Sequence, residues 1–322
     1  MNNIIKFATV ALAALTVIGC AKETKQDAAS EEKLVPVEVA FNVDLENVVG
    51  DFTRANVSLF PEVENWIFDY YFVQFYSTGM SRTSGHRRKT VTTGDLEVRD
   101  QVWLYDLGEC TVTFVANILP ADSPYDDDPN WENQQTGVIL IADNIDTYKT
   151  MKFDMTKRLQ ATEVTPGQAG ALKHMPMCGY WEGSVTTENN TSSDPFHMTV
   201  TLGRMVSKII VNVNNKCGST INSVKLDKAA TAAYIYPQAE NDVLEDDEYM
   251  SVTNSVSIAN NNSATLYFYT APNFCEVGGN VTTLTFTAVN GKSATIPVGS
   301  DVEDGDYNLY MNTIYTLNVD LK

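Results

Sequence analysis

The chain is short of basic charge and of histidine. Its 322 residues carry 22 Lys and Arg against 41 Asp and Glu, a net charge of −19, and hold three histidines, His86, His174 and His197. A surface this acidic repels phosphate backbones and anionic headgroups, which argues against nucleic acid and anionic lipid as partners. Also missing are the HExxH pair of zinc proteases, the GxSxG nucleophile elbow and the glycine-rich phosphate loop. No catalytic constellation, cofactor or resident metal is therefore expected. Helical periodicity is scarce: the run Asp227-Lys228-Ala229-Ala230 has good helix formers but is too short to hold a helix alone. Past the first twenty residues, no apolar stretch approaches the ~20 residues that a membrane-spanning helix needs.

What is present begins at the N-terminus. One cation, Lys6, precedes an apolar run over 7–17, and Val17-Ile18-Gly19-Cys20 closes it. This is the pattern of an export signal, residues 1–19, ending at a lipoprotein cleavage site. Gly19 leaves room for the peptidase, and the Cys20 thiol is the expected site of lipidation. The mature chain would then be held at the membrane by acyl chains, since two or more anchor firmly. After the cysteine comes AKETKQDAASEEK, without an aromatic or branched aliphatic side chain. Such a stretch cannot offset its ordering entropy by burial, so residues 20–33 read as a flexible tether.

Alternation of period two dominates the rest. Val35, Val37, Val39, Phe41 and Val43 are apolar at every odd position of residues 35–44, the mark of a half-buried strand. Tyr315, Leu317, Val319 and Leu321 repeat it near the C-terminus. Further strands are expected over 70–76, 111–116, 137–141, 197–202, 207–213, 265–270, 282–289 and 293–298. The last two flank Asn290-Gly291, a dipeptide that accepts positive φ at both positions of a two-residue hairpin turn. Many short strands joined by Gly, Asn, Asp and Ser turns indicate an all-β protein built of antiparallel sandwiches. Breaks rich in turn formers fall over 119–133, 186–195 and 238–248. The second, TTENNTSSDP, is the most polar. A boundary there gives two tandem domains, residues 34–194 and 195–322, each expected to fold by itself.

Besides Cys20, the chain holds Cys110, Cys178, Cys217 and Cys275. An exported protein meets conditions that permit disulfides, and two cysteines per domain invite the pairs Cys110–Cys178 and Cys217–Cys275. Four cysteines allow three pairings, and four buried free thiols are the alternative.

Other clusters have plainer readings beside the functional ones. His174, Met175, Met177 and Cys178 have the softness to suit Cu(I), but neighbours on a strand point to opposite faces and cannot converge. Asp126-Asp127-Asp128 and Glu245-Asp246-Asp247-Glu248 place acids side by side, whereas calcium loops space them alternately, so both read as solvated loops. Arg82 and His86-Arg87-Arg88-Lys89 form the one basic run, expected at the tip of an exposed hairpin, with a protease-sensitive loop as the alternative. Trp66, Trp103, Trp131 and Trp181 are candidates for stacking on sugars, although strand aromatics usually lie in cores. Trp131, in the loop DDDPNWENQQ, is the best placed to line a glycan or partner surface.

Several segments, in order, resemble the fimbrillin superfamily, the lipoprotein subunits of type V pili. They are Thr53-Arg54-Ala55, the strand Cys110 to Asn117 that ends in Ala-Asn, Met175-Pro176-Met177-Cys178-Gly179-Tyr180, the "RMVAK"-like Arg204-Met205-Val206-Ser207-Lys208, Tyr267-Phe268-Tyr269-Thr270 and Asn312-Thr313-Ile314-Tyr315-Thr316-Leu317. The resemblance spans nearly the whole mature chain. It implies two transthyretin/Ig-like sandwiches, a place in surface fimbriae at the cell outer membrane, and other fimbrial subunits as partners. It also implies assembly by β-strand addition, in which cleavage after an arginine frees a first strand and a neighbour's strand fills the groove. Arg54 is then the candidate cleavage site and residues 35–44 the removable strand. After residues 315–321 the sequence stops at Lys322 without a spare donor segment, which makes a terminal subunit, tip or anchor, the expectation. The competing reading is a glycan-binding surface lipoprotein of the outer membrane.

Overall fold

The computed structural model describes residues 33–43, 48–49, 66–88, 97–118, 142–156, 159, 175–188, 190–237, 244–275, 279–302 and 305–322. The expectations for residues 1–32 with Cys20, for Arg54, for residues 119–141 with Asp126, Asp127, Asp128 and Trp131, and for His174 fall outside them.

The described chain is mostly β; its helical parts are α1 (Ile145–Thr150), a 3₁₀ turn at Asp246–Glu248 and helical residues at Thr156 and Leu159. A seven-stranded sheet runs β4 (Ser81–Arg88), β3 (Asp69–Tyr76), β6 (Gly108–Ala116), β8 (Met177–Val185), β9 (Phe196–Arg204), β1 (Leu34–Val43), β5 (Glu97–Tyr105). It bends between β8 and β9, which pair only through Met177↔Arg204 and Cys178↔Gly203. The layer β5-β1-β9 thereby faces the layer β4-β3-β6-β8. Phe41 of β1 spans the gap, its ring 4.9 Å from Tyr70 of β3 and 5.3 Å from Phe114 of β6.

The second sandwich has two four-stranded sheets. One runs β14 (Ser263–Thr270), β10 (Ser207–Asn215), β17 (Thr313–Leu321), β2 (Val48–Val49). The other runs β13 (Tyr249–Ile258), β11 (Ile221–Ala230), β15 (Thr283–Ala288), β16 (Ser293–Pro297). Ile209, Val211, Leu266, Phe268 and Tyr315 from the first sheet form one core with Val224, Leu226, Leu284 and Phe286 from the second. A two-stranded ribbon of β7 (Lys152–Asp154) and β12 (Ala232–Tyr234) ties the two halves of the chain. The N-terminal core also takes in Ala230, Ile235, Tyr269 and Ala271 from the C-terminal half.

The alternation read in the sequence is met most fully at β1, where Val35, Val37, Val39 and Phe41 are wholly buried. Four features differ from expectation. Most neighbouring strands are antiparallel, but β1–β9, β10–β17 and β17–β2 are parallel; these join segments far apart in sequence, and alternation carries no information on partner direction. The turn at Asn290-Gly291 is a three-residue loop: Gly291 N donates to Ala288 O, Ala288 N donates to Lys292 O, and Gly291 has positive φ while Asn290 does not. That is a type I turn completed by a left-handed glycine, the next most favoured hairpin after the two-residue one. Of the basic run, Arg82 and His86 to Arg88 lie on β4, an edge strand paired through Tyr71↔His86 and Asp69↔Arg88, and not at a hairpin tip, while Lys89 lies outside the described residues. Charged residues there oppose edge-to-edge association. Finally, residues 186–195 join two strands of one sheet, so β9, which follows the polar break, belongs to the N-terminal sandwich. The run Asp227-Lys228-Ala229-Ala230 ends β11, with a bulge at Leu226/Ala229 and a positive φ at Lys228.

Gly179 permits the bend between the two layers. A Cβ there would stand 2.3 Å from the carbonyl oxygen of Thr201 on β9 and 3.0 Å from the Leu202 side chain. Backbone cannot yield as a flexible side chain would. Gly179→Ala should lower unfolding free energy by about 2 kcal/mol in a denaturant titration, whereas Gly291→Ala, with open space around it, should cost less than that. Cleavage within residues 186–195 should leave two pieces that co-elute on gel filtration and part only in denaturant, because β9 stays between β8 and β1.

Candidate functional site

The structure draws attention to the seat of β1. The strand pairs antiparallel with β5 from Leu34↔Tyr105 to Asn42↔Glu97 and parallel with β9 from Val37↔Phe196 to Val43↔Leu202. Pro36, which has no N–H to give, lies one residue before the pairing with β9 begins. Val35, Val37, Val39 and Phe41 are all fully buried in the sandwich. At ~1.5–3 kcal/mol for each such side chain, their burial contributes about 6–12 kcal/mol. That is comparable to the whole stability of a typical domain. The far side of β5 is closed at its C-terminal end by a side chain acting as a strand: Gln74 Nε2 donates to Tyr105 O and Tyr105 N donates to Gln74 Oε1, both at 2.9 Å. Arg82 covers the Tyr105 ring at 3.7 Å.

The segment after β1 reaches the other sandwich. β2 pairs with β17 through Val48↔Ile314 and Val49↔Tyr315. Among the described residues, this two-residue strand is the only neighbour of β17 on that side. Inside the core, Tyr315 is buried, and its hydroxyl accepts from Tyr310 N at 2.6 Å. Burial pushes the phenol well above its ordinary pKa.

The short sequence motifs meet where the sandwiches join. Asn117 has φ of 58°, a left-handed conformation that Asn tolerates better than most residues. Its side chain is buried; Nδ2 donates to Trp66 O at 2.7 Å and to Met175 O at 2.9 Å, and Oδ1 accepts from Phe68 N at 2.8 Å. Asn312 repeats the device with φ of 54°. Its Oδ1 accepts from Arg204 N at 3.2 Å and from Arg204 Nη1 at 3.0 Å, while its N–H reaches Arg204 O and Val206 O at 2.8 and 2.9 Å. Met205 N donates to Pro176 O at 2.8 Å. The Ala-Asn, Met-Pro-Met, Arg-Met-Val and Asn-Thr-Ile segments are therefore parts of one hydrogen-bonded joint. The role of the two asparagines was not read from the sequence, where only their recurrence in the resemblance marked them.

The remaining sequence candidates separate. Cys110, Cys178, Cys217 and Cys275 are free thiols. The pairing Cys110–Cys178 does not fit the register, which sets Cys110 opposite Gly183 and Cys178 opposite Val115, about 17 Å apart along the strands. Cys217 and Cys275 follow opposite ends of the β10–β14 ladder, beyond Asn214↔Ser263 and Ser207↔Thr270 respectively. Burial raises the Cys110 and Cys178 thiols and lifts Cys275 to about 11. Glu245 to Glu248 form a capped 3₁₀ turn held by Lys152, whose Nζ lies 2.9 Å from Glu248. Among the described residues no group of three or more His, Cys, Asp or Glu is arranged to hold a metal. Trp181 packs edge-on against Phe196 at 5.6 Å, and Trp66 is half-buried. Trp103, by contrast, is 48% exposed, against the expectation that strand aromatics sit in cores.

Comparison with solved structures defines the class of fold. The chain is similar to the tip fimbrial protein Mfa3 of Porphyromonas gingivalis, in a C-terminally truncated form, with a TM-score of 0.56 at 14% identity over 89% of this chain and 95% of that one. A candidate cell adhesion protein of Parabacteroides distasonis gives 0.59 at 13% identity, covering 89% and 88%. Another, from Bacteroides eggerthii, gives 0.51 at 13% identity, covering 90% and 88%. No family model matches the sequence. No curated protein sequence matches it either. The all-β sandwich fold is thus the one carried by fimbrial and adhesion proteins, and the resemblance to the fimbrillin superfamily is met at the level of the fold.

Because the thiols are unpaired and raised by burial, intact mass after alkylation should be the same with and without prior reduction. In native buffer at neutral pH, a disulfide reagent should leave Cys110, Cys178 and Cys275 unmodified over minutes and label all three once the chain is denatured.

Proposed function

We propose that this chain is a non-catalytic structural or adhesive subunit of bacterial surface fimbriae, a terminal one, assembled by β-strand addition. The observation that carries the reading is the seat of β1. It is an interior position in a sheet layer, filled by a segment close to one end of the described chain and set with four buried side chains at alternate positions. Such a seat suits exchange for another strand of the same pattern, because backbone pairing supplies affinity and the alternate pockets supply register. The fold shared with a tip fimbrial protein over 89% of the chain supports the same class.

Arg54 follows β1 and β2 in the sequence. Cleavage there would release both strands together. One groove would open between β5 and β9, and the edge of β17 would be bared at Ile314 and Tyr315. A subunit cut in this way accepts a strand and suits the tip, the position favoured by the likeness to the tip protein. A subunit that keeps β1 and the lipid on Cys20 suits an anchor at the outer membrane.

N-terminal analysis of the protein recovered from the cell surface separates these roles. A start at Ala55 is expected for the tip, and a lipidated Cys20 would reassign the chain to the anchor. Antibody label in electron micrographs should lie at filament ends. Label spread along the shaft would overturn the terminal assignment, and its absence from filaments would overturn the fimbrial one.

A further inference from the structure

The outer face of the layer β5-β1-β9 carries an arrangement that neither packing nor strand exchange uses. The outward positions form rows across the strands. Trp103 of β5 lies beside Pro36 of β1. The next row is Gln101, Glu38 and His197, contributed by β5, β1 and β9. Arg99 stands opposite Ala40 in the row after that. Strands lie about 4.8 Å apart and alternate residues about 7 Å apart, so the indole, the amide, the carboxylate and the imidazole border one patch.

Trp103 is 48% exposed and so offers part of a large aromatic face to solvent. The polar groups beside it are held in place. Glu38 Oε1 lies 3.1 Å from Arg99 Nη1 and 3.3 Å from His197 Nδ1. This leaves Glu38 Oε2 without a partner among the described residues. The Gln101 side chain, exposed on the neighbouring strand, offers an acceptor and two donors.

We propose that this face is a binding platform for a neutral glycan, one sugar ring stacking on Trp103 while adjacent hydroxyls bond to Gln101 and Glu38. A sugar ring has an apolar C–H face and a rim of hydroxyls, each both donor and acceptor, which match an aromatic plane beside an amide and a carboxylate. Neutrality follows from charge. Arg99 and Glu38 cancel within the patch, and the chain as a whole carries −19, which repels uronate and sulfate groups. A protein partner is disfavoured by size, since the exposed apolar part is Trp103 with Leu34 and Pro36 beside it, whereas a stable protein interface covers ~800 Å² on each side. Because Pro36 and Glu38 belong to β1, the platform is complete only while β1 is seated.

The test is a titration of the full chain, with β1 in place, against neutral gluco-, manno- and galacto-oligosaccharides, followed by tryptophan fluorescence and ligand-observed NMR. At least one should bind with Kd of about 1 mM or tighter. Trp103→Ala should weaken that binding about tenfold or more, and Gln101→Ala should weaken it several-fold, with the thermal midpoint of each variant unchanged. Trp103→Phe should restore part of the loss. Binding by none of the neutral oligosaccharides, binding only of sulfated or uronate sugars, or binding that survives both alanine variants would overturn the proposal. Because the titration uses the isolated chain, it stands or falls separately from the fimbrial role.

Discussion

The N-terminal sandwich depends on a strand with apolar residues at alternate positions lying between β5 and β9. Without one, β9 loses its pairing from Phe196 to Leu202 and β5 its pairing from Glu97 to Tyr105. The pockets of Val35, Val37, Val39 and Phe41 would then open to water. The lost burial alone, about 6–12 kcal/mol, rivals the 5–15 kcal/mol by which domains are typically stable. Ion pairs on the outer face cannot make up that difference. The Arg99–Glu38 pair is well exposed on the arginine side, and such pairs contribute ~0–1 kcal/mol. The seat therefore has to be filled, by β1 or by a strand that imitates it.

The second constraint is the joint between the sandwiches. Asn117 and Asn312 each hold a left-handed backbone and use the side chain to satisfy buried groups on neighbouring segments. Arg204, fully buried, meets Asn312 there. These bonds fix where β9 ends and β10 begins. The parallel pairs β1–β9 and β10–β17 consequently lie on either side of the same turn. The chain then passes from β1 in one sandwich to β2 in the other, which is why one cut after β2 would affect both.

Much of this was legible in the sequence where a single physical rule applied. Alternation located β1, β3, β6, β9, β10, β14, β15, β16 and β17, because burial of one sheet face writes itself on every second residue. Eight strands escaped it, β2, β4, β5, β7, β8, β11, β12 and β13, and three of them show why. β4 is basic and lies at an edge, so it lacks an apolar face to see. β5 holds an exposed Trp103 that breaks the polar side of its pattern. β11 contains a bulge that shifts the alternation by a residue. The domain boundary was misread because polarity marks a loop but not which sheets the loop connects. Cysteine count suggested bridges, yet only the register could show that Cys110 and Cys178 lie far apart on adjacent strands. The outer-face patch was out of reach, since it needs three strands in register before Trp103, Gln101, Glu38 and His197 become neighbours.

Assembly by strand addition requires that the β1 seat accept a strand in trans. The direct measurement takes the chain beginning at Ala55 and adds a synthetic peptide of residues 33–43, with a scrambled peptide of the same composition as control. The truncated chain alone should be unstable or aggregate, the peptide should bind one to one, and binding should raise the melting temperature towards that of the full chain. A peptide with Val37 and Val39 changed to Asp should fail. A truncated chain that is already as stable as the full one, or that ignores the native peptide, would contradict assembly by strand addition.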